Sequence, residues 1–302
     1  MSARHRVSCV FAVVVLCGPT ARAGAQELEP GAYTAAPVGL CVVVIANTFS
    51  FGDISFDPSG PIDQARSRIN ATGLAYMRAL NLAGRSGQVA VALPIVAGHI
   101  EGRYLGEPAD VTRAGAGDAR VRTAINLYGI PALDRTAFAV HRTRRSIGAS
   151  LTVAIPSGVY STNRLINIGN HRWAFKPELG LVQSAGRWTL EVYGGVWLFT
   201  KNDAFYRGSL RTQQPIGSAQ FHAHYAVRPR LVLSANANVY TGGRTTVNGR
   251  HNLDLQRNSR VGLTVVTPLS RGQALRAAIS SGAYTTIGAD FTSVSVSWQR
   301  AW

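Results

Sequence analysis

What most constrains this chain is a pattern that recurs from residue 36 onward: segments of about ten residues in which apolar and polar side chains alternate, with turn signals between them. The final dozen residues, Phe291 to Trp302, put Val294, Val296, Trp298 and Trp302 on one parity and Ser293, Ser295 and Ser297 on the other. Successive side chains of a strand point to opposite faces, so this spacing predicts a strand with one apolar and one polar side. Twelve such segments are read: Pro37–Phe51, Ile69–Leu80, Gln88–Gly98, Asp118–Tyr128, Ile147–Ile155, Arg172–Val182, Arg187–Phe199, Gly217–Ala226, Arg230–Tyr240, Ser259–Val266, Gln273–Ala283 and Asp290–Trp298.

A soluble β-sandwich also alternates, but these segments are tall. Along Arg187–Phe199, Trp188, Leu190, Val192, Val196 and Leu198 share a face, and the rise from Trp188 to Leu198 at a tilt near 40° is about 25 Å, the apolar height of an outer-membrane barrel. Charged residues make up only 15% of the sequence, against about 25% for an ordinary soluble surface, as a lipid-facing exterior would require. The predicted fold is therefore all-β: a transmembrane antiparallel β-barrel of about 12 strands in the bacterial outer membrane, preceded by a signal peptide. A strand that stops on an aromatic residue resembles the closing strand of such barrels, which makes Trp298 and Trp302 the candidate membrane-insertion signal, read by the barrel-assembly machinery. Arg300 departs from the pattern by falling on the apolar parity, so it is expected at the periplasmic interface, where arginine costs roughly 0–1 kcal/mol rather than 2–4.

Residues 1–25 read as the signal peptide: Arg4 and Arg6 form its basic start, Val10 to Leu16 its apolar run, and Ala23-Gly24-Ala25 its cleavage site. Residues 26–35 are expected as an N-terminal segment in the periplasm, and 36–302 as the barrel. Cys9 and Cys17 leave with the signal, so Cys41 is expected to stand alone. The net charge of +16 raises nucleic-acid binding, but export and the lack of a basic cluster interleaved with aromatics argue against it; anionic lipid at the membrane surface is the expected partner.

Connection lengths alternate too. Short turns at Gly84, Ser184–Gly186, Arg228-Pro229 and Pro268–Gly272 oppose long polar stretches at Gly52–Arg68, His99–Gly117, Pro156–His171 and Thr241–Asn258, giving short periplasmic turns and long external loops. Leu133–Arg145 is long on the short side, and a periplasmic helix or a plug both remain open for it. Leu40–Ile45 is apolar on both parities, which a simple lipid-and-water wall does not explain.

The polar parity should line the lumen. It carries Arg120, Arg122, Lys176, Glu178, Glu191, His222, His224, Asn236 and Asn238. Charges inside a narrow barrel either neutralise one another or form a constriction that sorts solutes; Arg120 and Arg122 are expected to meet Glu178 and Glu191 in a network across the lumen. His222 and His224 could serve a hydrolase or hold a metal, but no acid or cysteine nearby in sequence completes either set, so polar filling is the preferred reading, with no catalytic residue, metal or cofactor expected. Gly115–Asp118 resembles a phosphate loop only until one asks for the helix after it; a strand entry or turn is expected instead.

Several motifs in a fixed order add a resemblance: Glu29-Pro30-Gly31-Ala32-Tyr33, Ala36-Pro37-Val38-Gly39, Leu93-Pro94, Gly115-Ala116-Gly117-Asp118, Pro156-Ser157-Gly158-Val159-Tyr160, Asn167-Ile168-Gly169-Asn170-His171-Arg172-Trp173, Lys176-Pro177-Glu178-Leu179-Gly180 and Gly242-Gly243-Arg244-Thr245. Together they resemble the outer-membrane family labelled "putative MetA-pathway of phenol degradation", from Glu29 to the last residue. Ala116 stands where many relatives have a larger apolar residue. The resemblance implies a barrel that passively admits small, aromatic or hydrophobic compounds, and it brings no catalytic or binding residues with it. A structural or surface-interaction barrel with a closed lumen is the alternative, and an outer-membrane enzyme stands behind both.

Overall fold

The computed structural model describes residues 28–58, 60–228 and 231–302. The expected signal peptide lies outside the described residues. In chain order the elements are β1 (Cys41–Ser55), β2 (Ile62–Leu82), β3 (Arg85–Tyr104), β4 (Glu107–Ala116), β5 (Arg120–Tyr128), the helix α1 (Arg135–Val140), β6 (Arg145–Ala154), β7 (Ala174–Ala185), β8 (Trp188–Phe199), β9 (Asn202–Phe205), β10 (Ser209–Gln213), β11 (Ile216–Arg228), β12 (Leu231–Gly242), β13 (Thr245–Val247), β14 (Arg250–His251), β15 (Gln256–Ser270), β16 (Gln273–Tyr284) and β17 (Gly288–Ala301).

All but β9, β10, β13 and β14 form one antiparallel sheet, and β1 pairs with β17 from Val42↔Ala301 to Ser55↔Gly288, so the sheet closes on itself. Closure leaves no edge to satisfy in lipid. β4 and β5 occupy one position in the wall, both pairing with β3, which makes twelve staves. The break between them falls beside Pro94, which cannot donate to the ladder; the Gly117 N–H bonds the Pro94 carbonyl instead, at 2.9 Å.

The parities divide lipid from lumen. Trp188, Leu190, Val192, Val196 and Leu198 are 39–51% exposed on the outside, whereas Glu191 between them is 3% exposed. Arg300 projects outward at the foot of β17, paired with Gln273, the first residue of β16, so it stands at the end of the short turns. Those turns are tight: Ala83-Gly84 closes β2–β3 with both residues at positive φ, 51° and 79°.

Two expected loops prove to be strand. His99–Gly117 is mostly a hairpin, β3 running on to Tyr104 and returning as β4 through Leu105-Gly106, both at positive φ. Likewise β2 begins at Ile62, inside the expected loop Gly52–Arg68. Beyond the lipid both faces of a strand meet water, so the apolar parity that marks the membrane portion is missing there. Above the mouth, β14, β13, β10 and β9 form a small separate sheet, and the Leu253 N–H bonds Asp57 Oδ2 at 2.9 Å, tying it to the β1–β2 connection.

The connection Leu133–Arg145 holds α1, capped by Asp134, whose carboxylate accepts from the Ala137 N–H at 2.8 Å. The two-sided apolar run of β1 also finds its reason. Val42 and Val44 turn inward and pack with Ala36, Ala75, Met77, Ala79, Ala90 and Ala92, so the lower lumen beside β1–β3 is filled by a small apolar core. Cys41 is free, its Sγ accepting from the Tyr76 hydroxyl at 3.2 Å.

Candidate functional site

Of the segment expected in the periplasm, residues 28–35 are inside the barrel. Residues 29–33 make a compact turn, Ala32 N–H to Glu29 carbonyl at 3.2 Å and Thr34 N–H to Gly31 carbonyl at 3.0 Å, with Gly31 at φ 84°, where a side chain would be strained. Glu29, Ala32, Tyr33, Ala35 and Ala36 are all buried. Buried backbone must find partners, and here the lumenal side chains supply them. Glu29 N–H donates to Gln220 Oε1 at 2.9 Å and Gly31 N–H to Glu191 Oε2 at 2.8 Å. The Ala32 carbonyl accepts from Arg122 Nη1 at 3.0 Å and Gln88 Nε2 at 3.1 Å. The Tyr33 hydroxyl lies 2.9 Å from Ser150 Oγ and 3.2 Å from Glu178 Oε1.

The wall makes room for this turn with glycines. A Cβ on Gly148 of β6 or on Gly180 of β7 would lie 2.4 Å from the Tyr33 ring, and one on Gly262 of β15 would lie 2.9 Å from Leu28. Tyr193 of β8 closes the slot, edge-on to Tyr33 with ring centroids 4.9 Å apart. Glu29-Pro30-Gly31-Ala32-Tyr33 and Lys176-Pro177-Glu178-Leu179-Gly180, far apart in sequence, are thus two sides of one contact.

Charge follows the same plan. Lys176 Nζ sits 3.1 Å from Glu178 and 3.3 Å from Glu29, with 2% of its side chain exposed. Arg122 lies over the Tyr33 ring at 4.9 Å. Lys176 and Arg122 balance Glu178 and Glu29, so the set is neutral only while the N-terminal segment is in place. Glu191 accepts from Gly31 and from the Tyr193 hydroxyl, and its carboxylate lies 3.0 Å from His224 Nε2.

All nine sequence-derived lumenal residues fall on the inward parity, but they are brought together differently from the expected network. Arg122 turns to a backbone carbonyl instead of a carboxylate; Glu178 meets Lys176, and Glu191 meets His224. The segment occupying the centre comes between Arg122 and those acids. Arg120 sits on the same parity above Arg122, level with Ala92 and Ala154. Asn236 bonds His222 Nδ1 at 2.9 Å and Thr264 at 3.1 Å, and Asn238 is buried one row higher, level with Gln220 and Arg260. Sequence reasoning missed Glu29 and Tyr33; an acid followed by Pro-Gly and an aromatic in a segment otherwise read as a tail was the available signal.

One chain of side chains imitates a hydrolase: Ser234 Oγ to His224 Nδ1 at 2.7 Å, and His224 Nε2 near Glu191. The second contact is off the donor axis, leaving Nε2 without a hydrogen bond, and Glu191 is already engaged by Gly31 and Tyr193. Ser234 lies mid-strand, where the neighbouring backbone N–H groups belong to the sheet ladders and are not free to hold an oxyanion. No group of three His, Cys, Asp or Glu side chains with metal-binding geometry occurs among the described residues.

The external mouth is covered as well. Asp118, in the break between β4 and β5, accepts from the Gly158 N–H at 3.0 Å and from both nitrogens of Asn170 at 2.9 Å. It folds residues 155–173 into the mouth, where Ile168 packs on Ile69, Ala71, Val96 and Phe291. Gly115–Asp118 is therefore a loop anchor. Arg172, buried over the Phe199 ring at 4.4 Å and bonded to Gln213, has its pKa lowered to about 9 by burial, with Arg211 adding to the effect. On the periplasmic side a cavity of about 470 Å³ remains between the N-terminal turn, α1 and the wall. Trp298 Nε1 bonds Gln273 at 3.0 Å, and half-exposed Trp302 exchanges backbone hydrogen bonds with Cys41 at the same end.

An outer membrane channel from Pseudomonas putida F1 superposes on 91% of this chain and 100% of its own, with a TM-score of 0.77 at 19% identity, which makes the fold the same. The KdgM porin overlaps more loosely, with a TM-score of 0.44 at 8% identity over 86% of this chain and 99% of its own. So does the translocator domain of the autotransporter NalP from Neisseria meningitidis, at 0.48 and 13% over 88% and 89%. No curated protein matches the sequence. A family model matches residues 45–290, the length of the barrel from the first stave to the last, and the chain belongs to the family described as "Putative MetA-pathway of phenol degradation".

Proposed function

We propose that this protein is a passive channel through which small solutes, aromatic compounds among them, cross the outer membrane, and that residues 28–36 are its resident closure. The observation that carries the reading is the nature of what fills the lumen. A barrel meant to stay shut can be filled with apolar side chains. Here the centre is occupied by one short segment held by hydrogen bonds and an ion pair to polar walls, Glu29 to Lys176 and Gln220, Gly31 to Glu191. Water can take over such bonds at small net cost, since a protein hydrogen bond contributes only about 0.5–1.5 kcal/mol net. The walls left behind would be polar and wet, as a conducting path requires. The aromatic preference draws its support from the family description.

The test is conductance in planar bilayers. The wild-type protein is expected to open rarely and in small steps, and a variant lacking Leu28–Ala35 to open in larger ones. If neither conducts, the second reading gains: a closed barrel whose external surface does the work, favoured by the loop and small sheet that cover the mouth. For the solute class, cells without the gene should accumulate phenol more slowly at limiting concentration and recover when it is restored. Equal uptake would remove the aromatic assignment.

A further inference from the structure

We infer that the periplasm-facing cavity binds small organic monoanions, a carboxylate carried on a compact apolar body; this deepens the channel reading and rests on it. At about 470 Å³ the cavity falls in the range of small-molecule sites, roughly 300–1,000 Å³. Its wall is apolar where the staves β12 and β15 pass it, at Val232 and Val266, and again at Val182 and at Phe138 of α1. Charged residues line it as well: Glu191, Arg142, Arg144 and Arg276. Arg276 of β16 stands in register with Val266, which stands in register with Val232, so the guanidinium rises beside two inward-facing valines.

Arg276 makes no hydrogen bond and no ion pair among the described residues, and no charged neighbour acts on it. Arg276 is half-buried at the cavity wall, and a guanidinium without a protein partner there is free to take an anion that enters the cavity. Two other charges on the wall are answered within the protein: Glu191 by Gly31 and Tyr193, Arg142 by the carbonyls of Ala139 and His141. Arg144, also on the cavity wall, adds to the positive field and has no side-chain partner among the described residues. A guanidinium fork matches a carboxylate through two parallel hydrogen bonds, and the valines and Phe138 accept the apolar remainder. Cations are repelled, and inorganic phosphate brings no apolar body for the valines and Phe138 to cover.

The purified full-length protein in detergent is titrated calorimetrically with benzoate, benzyl alcohol and inorganic phosphate. Benzoate is expected to bind, with the other two at least tenfold weaker. Arg276→Gln should weaken benzoate by about tenfold or more, the loss of a charge-assisted pair, and Arg276→Lys, which keeps the charge but loses the fork, by less than Arg276→Gln. Equal binding of benzoate and benzyl alcohol, or unchanged benzoate affinity in Arg276→Gln with barrel gel mobility intact, overturns the inference. Should Arg276→Gln fail to fold, the comparison of the three ligands on wild type decides alone. A variant lacking residues 28–35 that carries no current, beside wild-type protein that binds benzoate through Arg276, would sink the channel reading and leave the site standing.

Discussion

Gly180 and Gly148 show how much a missing methyl group can decide. Each leaves the floor of the Tyr33 slot bare, and a Cβ at 2.4 Å from an aromatic ring cannot be accommodated without moving it. Gly180→Ala is therefore expected to expel the N-terminal turn while sparing the barrel, and single-channel recordings should show larger, more frequent openings. Tyr33→Ala removes the ring from the other side, so the pair combined should open the channel no further than either alone; additive openings would mean that the two do not share one contact. Glu29→Gln acts through charge. It leaves the Lys176, Arg122 and Glu178 set with one surplus positive charge and should raise the anion preference of whatever current flows, read from the reversal potential under a salt gradient. Of these residues, Arg122, Lys176 and Glu178 were legible as lumenal in the sequence, because parity reports which face a strand residue takes. It does not report what occupies the space in front of that face.

Among the elements, the loop 155–173 is anchored by Asp118 together with Asn202, which donates to the Tyr160 hydroxyl and the Asn170 carbonyl, and Arg113, which donates to the Ile166 carbonyl. Asp118 accepts three hydrogen bonds from Gly158 and Asn170, and a carboxylate bonded to N–H groups contributes about 1.5–3 kcal/mol per bond at most, not additively. Asp118→Ala should loosen the base of the loop while the staves stay paired. Intact cells treated with trypsin are then expected to show cleavage at Arg164 that wild type resists, with no loss of the heat-modifiable folded form. Staves themselves were predicted well where they cross lipid and poorly where they leave it. β3 and β4 run on past the membrane as a hairpin that polar residues on both faces disguise as loop. The helix α1 was undecidable in sequence because six residues carry no periodicity to read.

At the scale of the whole molecule, the barrel should migrate differently on gels with and without heating and should fractionate with outer membranes. Its tolerance of charge should depend on depth. Val192, 44% exposed in the middle of the Trp188–Leu198 band, faces lipid, and Val192→Arg is expected to cost about 2–4 kcal/mol in urea titrations of the folded barrel. Arg300→Leu, at the rim, should change stability by no more than about 1 kcal/mol. The sequence by itself determined the class, the number of staves and the inward set, because lipid on one side and water on the other write a period of two into every crossing. It also carried the membership, in motifs such as Glu29–Tyr33 and Lys176–Gly180, without saying what they were for. Only the tertiary structure decided that these two motifs touch, that a segment read as a tail fills the pore, and that Arg276 faces the periplasm-side cavity. Such contacts join residues more than a hundred positions apart, and no local pattern records which distant glycine leaves room for which ring.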